Sequence, residues 1–196
     1  MRSFLSILIC LAAPSLAGAA TISTGSTQVG DTDGIVADWP SFAVTDTTGH
    51  ASSAEAAWVW TSGFTNPDET RTRVWTYSFD LDGYDLTTAA LSGAWGARNT
   101  VTAVLNGNTI GSHEGYATLG RFGTDADSHF VDGENTLAFV VTLTEVFEPQ
   151  GAFLATVAVE AERETTASVV PVPAAGLLLA GGLGALGAVG RRRARG

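Results

Sequence analysis

Several runs of the chain alternate large apolar with small polar side chains at a period of two, the pattern of strands that bury one face. In Val74-Trp75-Thr76-Tyr77-Ser78-Phe79-Asp80 the aromatics Trp75, Tyr77 and Phe79 fall on one side and are expected in the core. Residues 101–105 and 109–110 flank Asn106-Gly107-Asn108; an Asn-Gly pair between apolar runs predicts a hairpin, because both residues tolerate a positive φ. Residues 136–144 alternate again, with Leu137, Phe139, Val141 and Leu143 on one face and the Asp132-Gly133 turn before them. A last strand is expected over 153–161, its buried face given by Phe153, Ala155, Val157 and Val159. No segment between 21 and 163 sustains the 3.6-residue apolar period of a helix. Short strands separated by Gly, Asp, Asn and Thr clusters predict one all-β domain, an antiparallel β-sandwich or jelly roll.

The two ends follow other rules. Arg2, an apolar run over 4–13 and the small residues Ala17-Gly18-Ala19-Ala20 make a secretory signal peptide, with cleavage expected after Ala19 or Ala20. At the other end Val170-Pro171-Val172-Pro173-Ala174 leads into an apolar run over 174–190, closed by Arg191, Arg192, Arg193 and Arg195. As a helix that run reaches roughly 25 Å against a hydrocarbon core of about 30 Å, short but workable. Its glycines are tolerated in membranes, where they let helices approach closely. The terminal arginines place the C-terminus in the cytoplasm and the body outside. The expected organisation is a signal peptide over 1–20, a β-sandwich domain over 21–163, a linker over 164–169 and a sorting segment over 170–196.

That C-terminal order of proline motif, glycine-rich apolar helix and arginine cluster resembles the PEP-CTERM sorting signals, particularly the VPLPA variant, with Val172 where leucine is usual. The resemblance implies a Gram-negative envelope and a membrane-embedded processing enzyme of the exosortase type. It further implies a membrane-anchored intermediate facing the periplasm, then display at the cell surface or release. It implies nothing about catalysis.

Charge and cysteine content narrow the function classes. Residues 21–169 hold all 20 acidic side chains and only the arginines Arg71, Arg73, Arg98, Arg121 and Arg163, and the chain has no lysine. Such a field repels nucleic acid, which is excluded as a partner. The single cysteine, Cys10, lies in the signal segment, so the body has no disulfide and no thiol chemistry.

A second resemblance covers roughly residues 75–160. The run from Tyr77 to Gly83, then Leu91-Ser92-Gly93-Ala94-Trp95, Val104-Leu105-Asn106-Gly107 and Gly133-Glu134-Asn135-Thr136-Leu137 is similar to galactose-binding-like β-sandwiches. No ligand residues are carried over from it.

Two groups of residues could carry chemistry. Asp80, Asp82 and Asp85 surround a glycine turn and could converge on calcium, which prefers several oxygen ligands, although Leu91 stands where an EF-hand loop needs glutamate. Asp31, Asp33 and Asp38 form a looser acidic group. Among Trp39, Trp58, Trp60, Trp75 and Trp95, Trp60 and Trp95 lie near glycine-containing turns and are the expected sugar-stacking residues; Trp58 and Trp60 share strand parity. His50, His113 and His129 match no metal or catalytic spacing, and no nucleophile elbow or phosphate loop occurs. The sequence therefore reads as a non-catalytic, surface-sorted or matrix protein, with a calcium-dependent carbohydrate-binding module as the alternative and a polysaccharide hydrolase as a second one.

Overall fold

In the computed structural model, which describes residues 19–29, 34–61, 72–143 and 151–165, the body is almost entirely antiparallel β-sheet. The strands are β1 (Ala20–Ser26), β2 (Val36–Ala37), β3 (Ser41–Ala43), β4 (Val59–Thr61), β5 (Thr72–Asp80), β6 (Tyr84–Leu105), β7 (Asn108–Thr124), β8 (Glu134–Thr142) and β9 (Phe153–Arg163). A single 3-10 turn at Asp127–His129 is the helical element among the described residues, and no helix there is long and apolar enough to cross a membrane. One compact unit ends at Glu164. Residues 1–18 of the expected signal segment, the VPVPA motif, the apolar run and the terminal arginines lie outside the described residues, while Ala20 opens β1.

β6 organises the molecule. Its first part pairs with β9, from Tyr84↔Arg163 to Ala97↔Phe153, and its last part pairs with β8, from Thr100↔Thr142 to Leu105↔Leu137. The opposite edge of β6 carries β7. One long strand thus feeds two layers: β9 with β1, β4 and β3 on one side, β8 with β5 and β2 on the other. The layers meet through rings on strands that share no hydrogen bonds. Trp75 on β5 lies 4.8 Å from Phe153 on β9 and 5.4 Å from Trp60 on β4, and Phe139 on β8 lies 5.3 Å from Phe153. Trp75, Tyr77 and Phe79 are buried as their parity predicts, as are Leu137, Phe139, Val141, Leu143, Phe153, Ala155, Val157 and Val159.

The Asn-Gly hairpin forms between β6 and β7, with φ of 49° at Asn106 and 85° at Gly107, both left-handed. The Asn106 side chain also holds the neighbouring turn: its Nδ2 donates to Asn135 Oδ1 at 2.7 Å, and its Oδ1 accepts from Thr136 N at 3.0 Å. Asn135 is wholly buried, yet its amide donates to Val131 O and Gly133 O and its oxygen accepts from Val131 N. A buried amide so satisfied fixes one geometry for the turn into β8.

Tyr77 bridges the layers by a hydrogen bond between its hydroxyl and that of Ser23 on β1. Burial raises its pKa above the ordinary 10.0, against the smaller opposing effect of the Ser23 bond. A raised folded pKa favours the neutral phenol, so this contribution is complete below pH 10 and declines as the pH climbs through the folded value. Tyr77→Phe should cost about 1 kcal/mol at neutral pH and flatten the alkaline decline. Urea denaturation at neutral pH and above pH 10 checks this, and equal alkaline losses in both proteins would contradict it.

Candidate functional site

The outer face of the first layer is built mostly from small side chains. Across β1, β9, β6 and β7 two register rows run side by side: Thr24, Ala158, Ser92 and Gly123 in one, Ser26, Thr156, Ala94 and Arg121 in the other. Alternation sends these side chains outward because Tyr77, Val157, Leu91, Trp95 and Phe122 occupy the inward side. Between the rows the inward positions Gly25 and Gly93 have no room for a side chain. A Cβ at Gly25 would stand 2.5 Å from the Tyr77 ring, and one at Gly93 would stand 2.1 Å from Thr156 O. The result is a solvent-open trough of about 710 Å³, lined by Thr21, Thr24, Ser26, Ser92, Thr156 and Arg121 with Glu55 at its side.

Its chemistry is hydroxyl, backbone and two charges. Thr156 Oγ1 accepts from Ala94 N at 3.2 Å, which leaves its own hydrogen to donate. The other described arginines are committed: Arg73 Nε donates to Thr61 Oγ1, Arg98 lies over the Tyr116 ring and Arg163 over the Tyr84 ring. Arg121 is exposed and forms no hydrogen bond, ion pair or ring stack with the described residues. Among those residues Glu55 is the one carboxylate lining the trough.

Segment 44–58 gives Glu55 to the trough and lays Trp58 on the outer face, in a cluster with Val44 and Ala56. Trp58 sits over Gly96, where a Cβ would be 2.6 Å from its ring, and packs with Ala152 and Leu154. Its Nε1 donates to Ala51 O at 2.8 Å, and Ala51 N donates to Tyr116 O at 2.8 Å, so the segment is strapped to β7. His50 stands 4.7 Å from Trp58 and 4.4 Å from Tyr116, ring to ring. The Thr48 backbone and side chain hold the Asp46 carboxyl below its ordinary pKa, with smaller help from the charges of His50 and Arg98.

Most of the residues expected from sequence to bind a ligand are placed elsewhere. Trp60 and Trp95 are each 1 % exposed. Trp60 on β4 points between the layers toward Trp75, and Trp95 on β6 lies against Phe122 at 4.6 Å, so neither offers a face to a sugar. Trp58 and Trp60 do not share a cluster either: Trp58 precedes β4 and belongs to the outer group, Trp60 to the main core. The exposed tryptophan is Trp39.

Asp80, Asp82 and Asp85 are not gathered around a point, and among the described residues no three His, Cys, Asp or Glu side chains are arranged to hold a metal ion. The Asp80 carboxylate accepts from Asp82 N at 2.8 Å, and that of Asp85 accepts from the Thr87 backbone and hydroxyl at 3.0 and 2.7 Å. These are turn-capping bonds, and the Thr87 bonds lower the pKa of Asp85. Asp38 is exposed, while Asp31 and Asp33 lie outside the described residues. The trough residues themselves carry no sequence signal, since serine, threonine, alanine and glycine at alternate strand positions mark any solvent-facing sheet.

No protein-family model and no curated protein sequence matches the chain. Solved structures resemble it weakly. One is a carbohydrate-binding module, CBM36, in complex with calcium and xylotriose, at 13 % identity and a TM-score of 0.39 over 70 % of this chain and 99 % of that one. Another is the CBM36-1 domain of a multidomain xylanase from the hindgut metagenome of Trinervitermes trinervoides, at 9 % identity and 0.37 over 72 % and 98 %. A third is an FMN-binding β-glucuronidase from Facaelibacterium prausnitzii L2-6, at 16 % identity and 0.34 over 68 % of this chain and 22 % of that one.

Proposed function

We propose that this protein is an exported, non-catalytic glycan-binding module that seats a stretch of polysaccharide in the trough over β1, β9, β6 and β7. The observation that carries the reading is the pair of small-side-chain rows across four strands. A saccharide chain presents hydroxyls along its edges and needs a shallow, open channel with many modest hydrogen-bond partners. Thr24, Ser26, Ser92 and Thr156 supply hydroxyl partners, and Arg121 and Glu55 offer one charged group of each sign. The volume of about 710 Å³ falls in the ordinary range of ligand sites. The galactose-binding-like character of the sandwich and the extracellular destination belong to the same proposal, the second supported by the signal-like N-terminus and the VPVPA tail.

The test uses the protein recovered from its host. Intact mass reports whether the segments before Thr21 and after about Pro173 have been removed. Isothermal titration against neutral and acidic polysaccharides, with calcium and with chelator, reports binding. Ser92→Leu puts a branched side chain into the trough from an exposed position and should weaken binding at least tenfold, about 1.4 kcal/mol. Arg121→Ala should weaken it by about as much. Binding untouched by Ser92→Leu would move the ligand elsewhere, and silence across the panel would end the reading.

A further inference from the structure

Trp39 breaks the rule that the other tryptophans obey. Trp58, Trp60, Trp75 and Trp95 are buried, whereas Trp39 is 52 % exposed. It sits at the corner where the chain leaves β2, paired to β5 in one layer, and enters β3, paired to β4 in the other. The corner is fixed from both sides: Asp38 N donates to Val74 O at 3.0 Å, and Pro40 limits the backbone that follows. The Arg73 guanidinium lies 5.3 Å from the centroid of the indole. That guanidinium is itself tied down, Nε to Thr61 Oγ1 at 2.9 Å and Nη1 to Thr72 O at 3.3 Å. The cation stands over the ring on one side, and about half of the Trp39 residue stays open to solvent. Trp39 is therefore a solvent-exposed indole on a fixed corner with a tethered cation beside it. Val36 in β2 and Phe42 in β3, before and after the corner in the chain, are each 37 % exposed.

We propose that Trp39 is a second saccharide site, separate from the trough, which stacks a pyranose ring on its exposed indole. The C–H face of a pyranose is apolar and flat while its rim carries hydroxyls. A rigid indole with the exposed carboxylate of Asp38 adjacent in the chain matches both halves of that surface. The proposal rests on the preceding reading only for the class of ligand. Trp39 shares no residue with the trough, so a chain with both sites occupied bridges two polysaccharide strands and gains avidity from the polymer. The protein is then a cross-linker as well as a binder.

Indole fluorescence separates the two sites, because the buried tryptophans report solvent weakly. Full-length protein in mild detergent is titrated with cello-, xylo- and manno-oligosaccharides, alongside the variants Trp39→Ala, Trp39→Phe and Ser92→Leu. Wild type should show a blue shift or quench on binding that survives Ser92→Leu and vanishes in Trp39→Ala. Trp39→Phe should bind at this site several-fold more weakly, and Trp39→Ala should keep trough binding by calorimetry while losing the ability to precipitate the matching polymer. A trough-dependent signal absent from Ser92→Leu would overturn the second site while sparing the first. Loss of self-association in Trp39→Ala by light scattering, without any change in saccharide binding, would make this corner a contact between copies of the chain and overturn the proposal equally. If neither wild type nor any variant responds to a saccharide, both readings fall together.

Discussion

Phe139→Ala is expected to cost about 3–5 kcal/mol, a large part of the 5–15 kcal/mol that typically holds a domain folded. Phe139 has no exposed surface, and its ring touches both layers and the strand that joins them: Phe153 on β9 at 5.3 Å, Phe122 on β7 at 5.4 Å and Trp95 on β6 at 6.2 Å. Truncation leaves a ring-sized void walled by other large rings, which are anchored in separate strands and cannot close together. The cost therefore combines lost transfer energy with an unrelaxed cavity. Thermal denaturation followed by near-ultraviolet circular dichroism should show a fall in midpoint on the order of 10 °C or more. Phe139→Leu, which refills much of the space, should recover most of it. A loss below about 1.5 kcal/mol for the alanine variant would mean that the layers are not packed through this ring.

The same cluster shows what the sequence could and could not convey. β5, β8 and β9 were legible because their buried positions carry large residues such as Trp75, Phe139 and Phe153, and the hairpin because Asn106-Gly107 has a chemical reason to turn. β6 was legible only at its C-terminal end, over 101–105. Over Tyr84–Leu105 its inward positions include Ala89, Gly93, Ala97 and Ala103, and small residues give a period-two pattern too little contrast to be read. β7 was legible only over 109–110, as the second arm of the hairpin; beyond that, as an edge strand paired only to β6 it buries little, and its glycines at 111, 115, 120 and 123 resemble loop. The site was invisible for related reasons. It is a surface assembled by register between β1 and β9, residues separated by 130 positions or more, and no local pattern encodes that adjacency. Proximity to glycine is a poor guide to the exposure of an aromatic residue, since Trp60 and Trp95 are both buried. Gly96 beside Trp95 and Gly151 against Trp60 exist to let rings pack closely, since a Cβ would stand 2.6 Å from Trp58 at the first and 2.3 Å from Trp60 at the second.

Gly93→Ala should destabilise the protein by about 3 kcal/mol, at the top of the range for overpacking, and should abolish trough binding as well. The added methyl would lie 2.1 Å from Thr156 O and 2.5 Å from the Phe122 ring. The ring could rotate away at moderate cost, but the carbonyl belongs to the ladder between β6 and β9 and moves only if that ladder opens. Gly107→Ala makes the comparison that isolates this steric effect. Gly107 has a φ of 85° and nothing within 4 Å of the place a methyl group would take, so its alanine variant bears only the left-handed backbone penalty of about 1–2 kcal/mol. The ordering expected from urea denaturation is therefore Gly93→Ala well below Gly107→Ala, with wild type above both. Binding separates them further. Separation of β6 from β9 at Gly93 splits the row Ser26, Thr156, Ala94 and Arg121, whereas the hairpin turn at Gly107 contributes nothing to the trough. Gly107→Ala should bind like wild type at temperatures where it is folded, and Gly93→Ala should fail to bind even where circular dichroism shows it folded. Equal stability of the two variants, or retained binding in folded Gly93→Ala, would show that the close contact of β6 with β9 does not shape the trough floor.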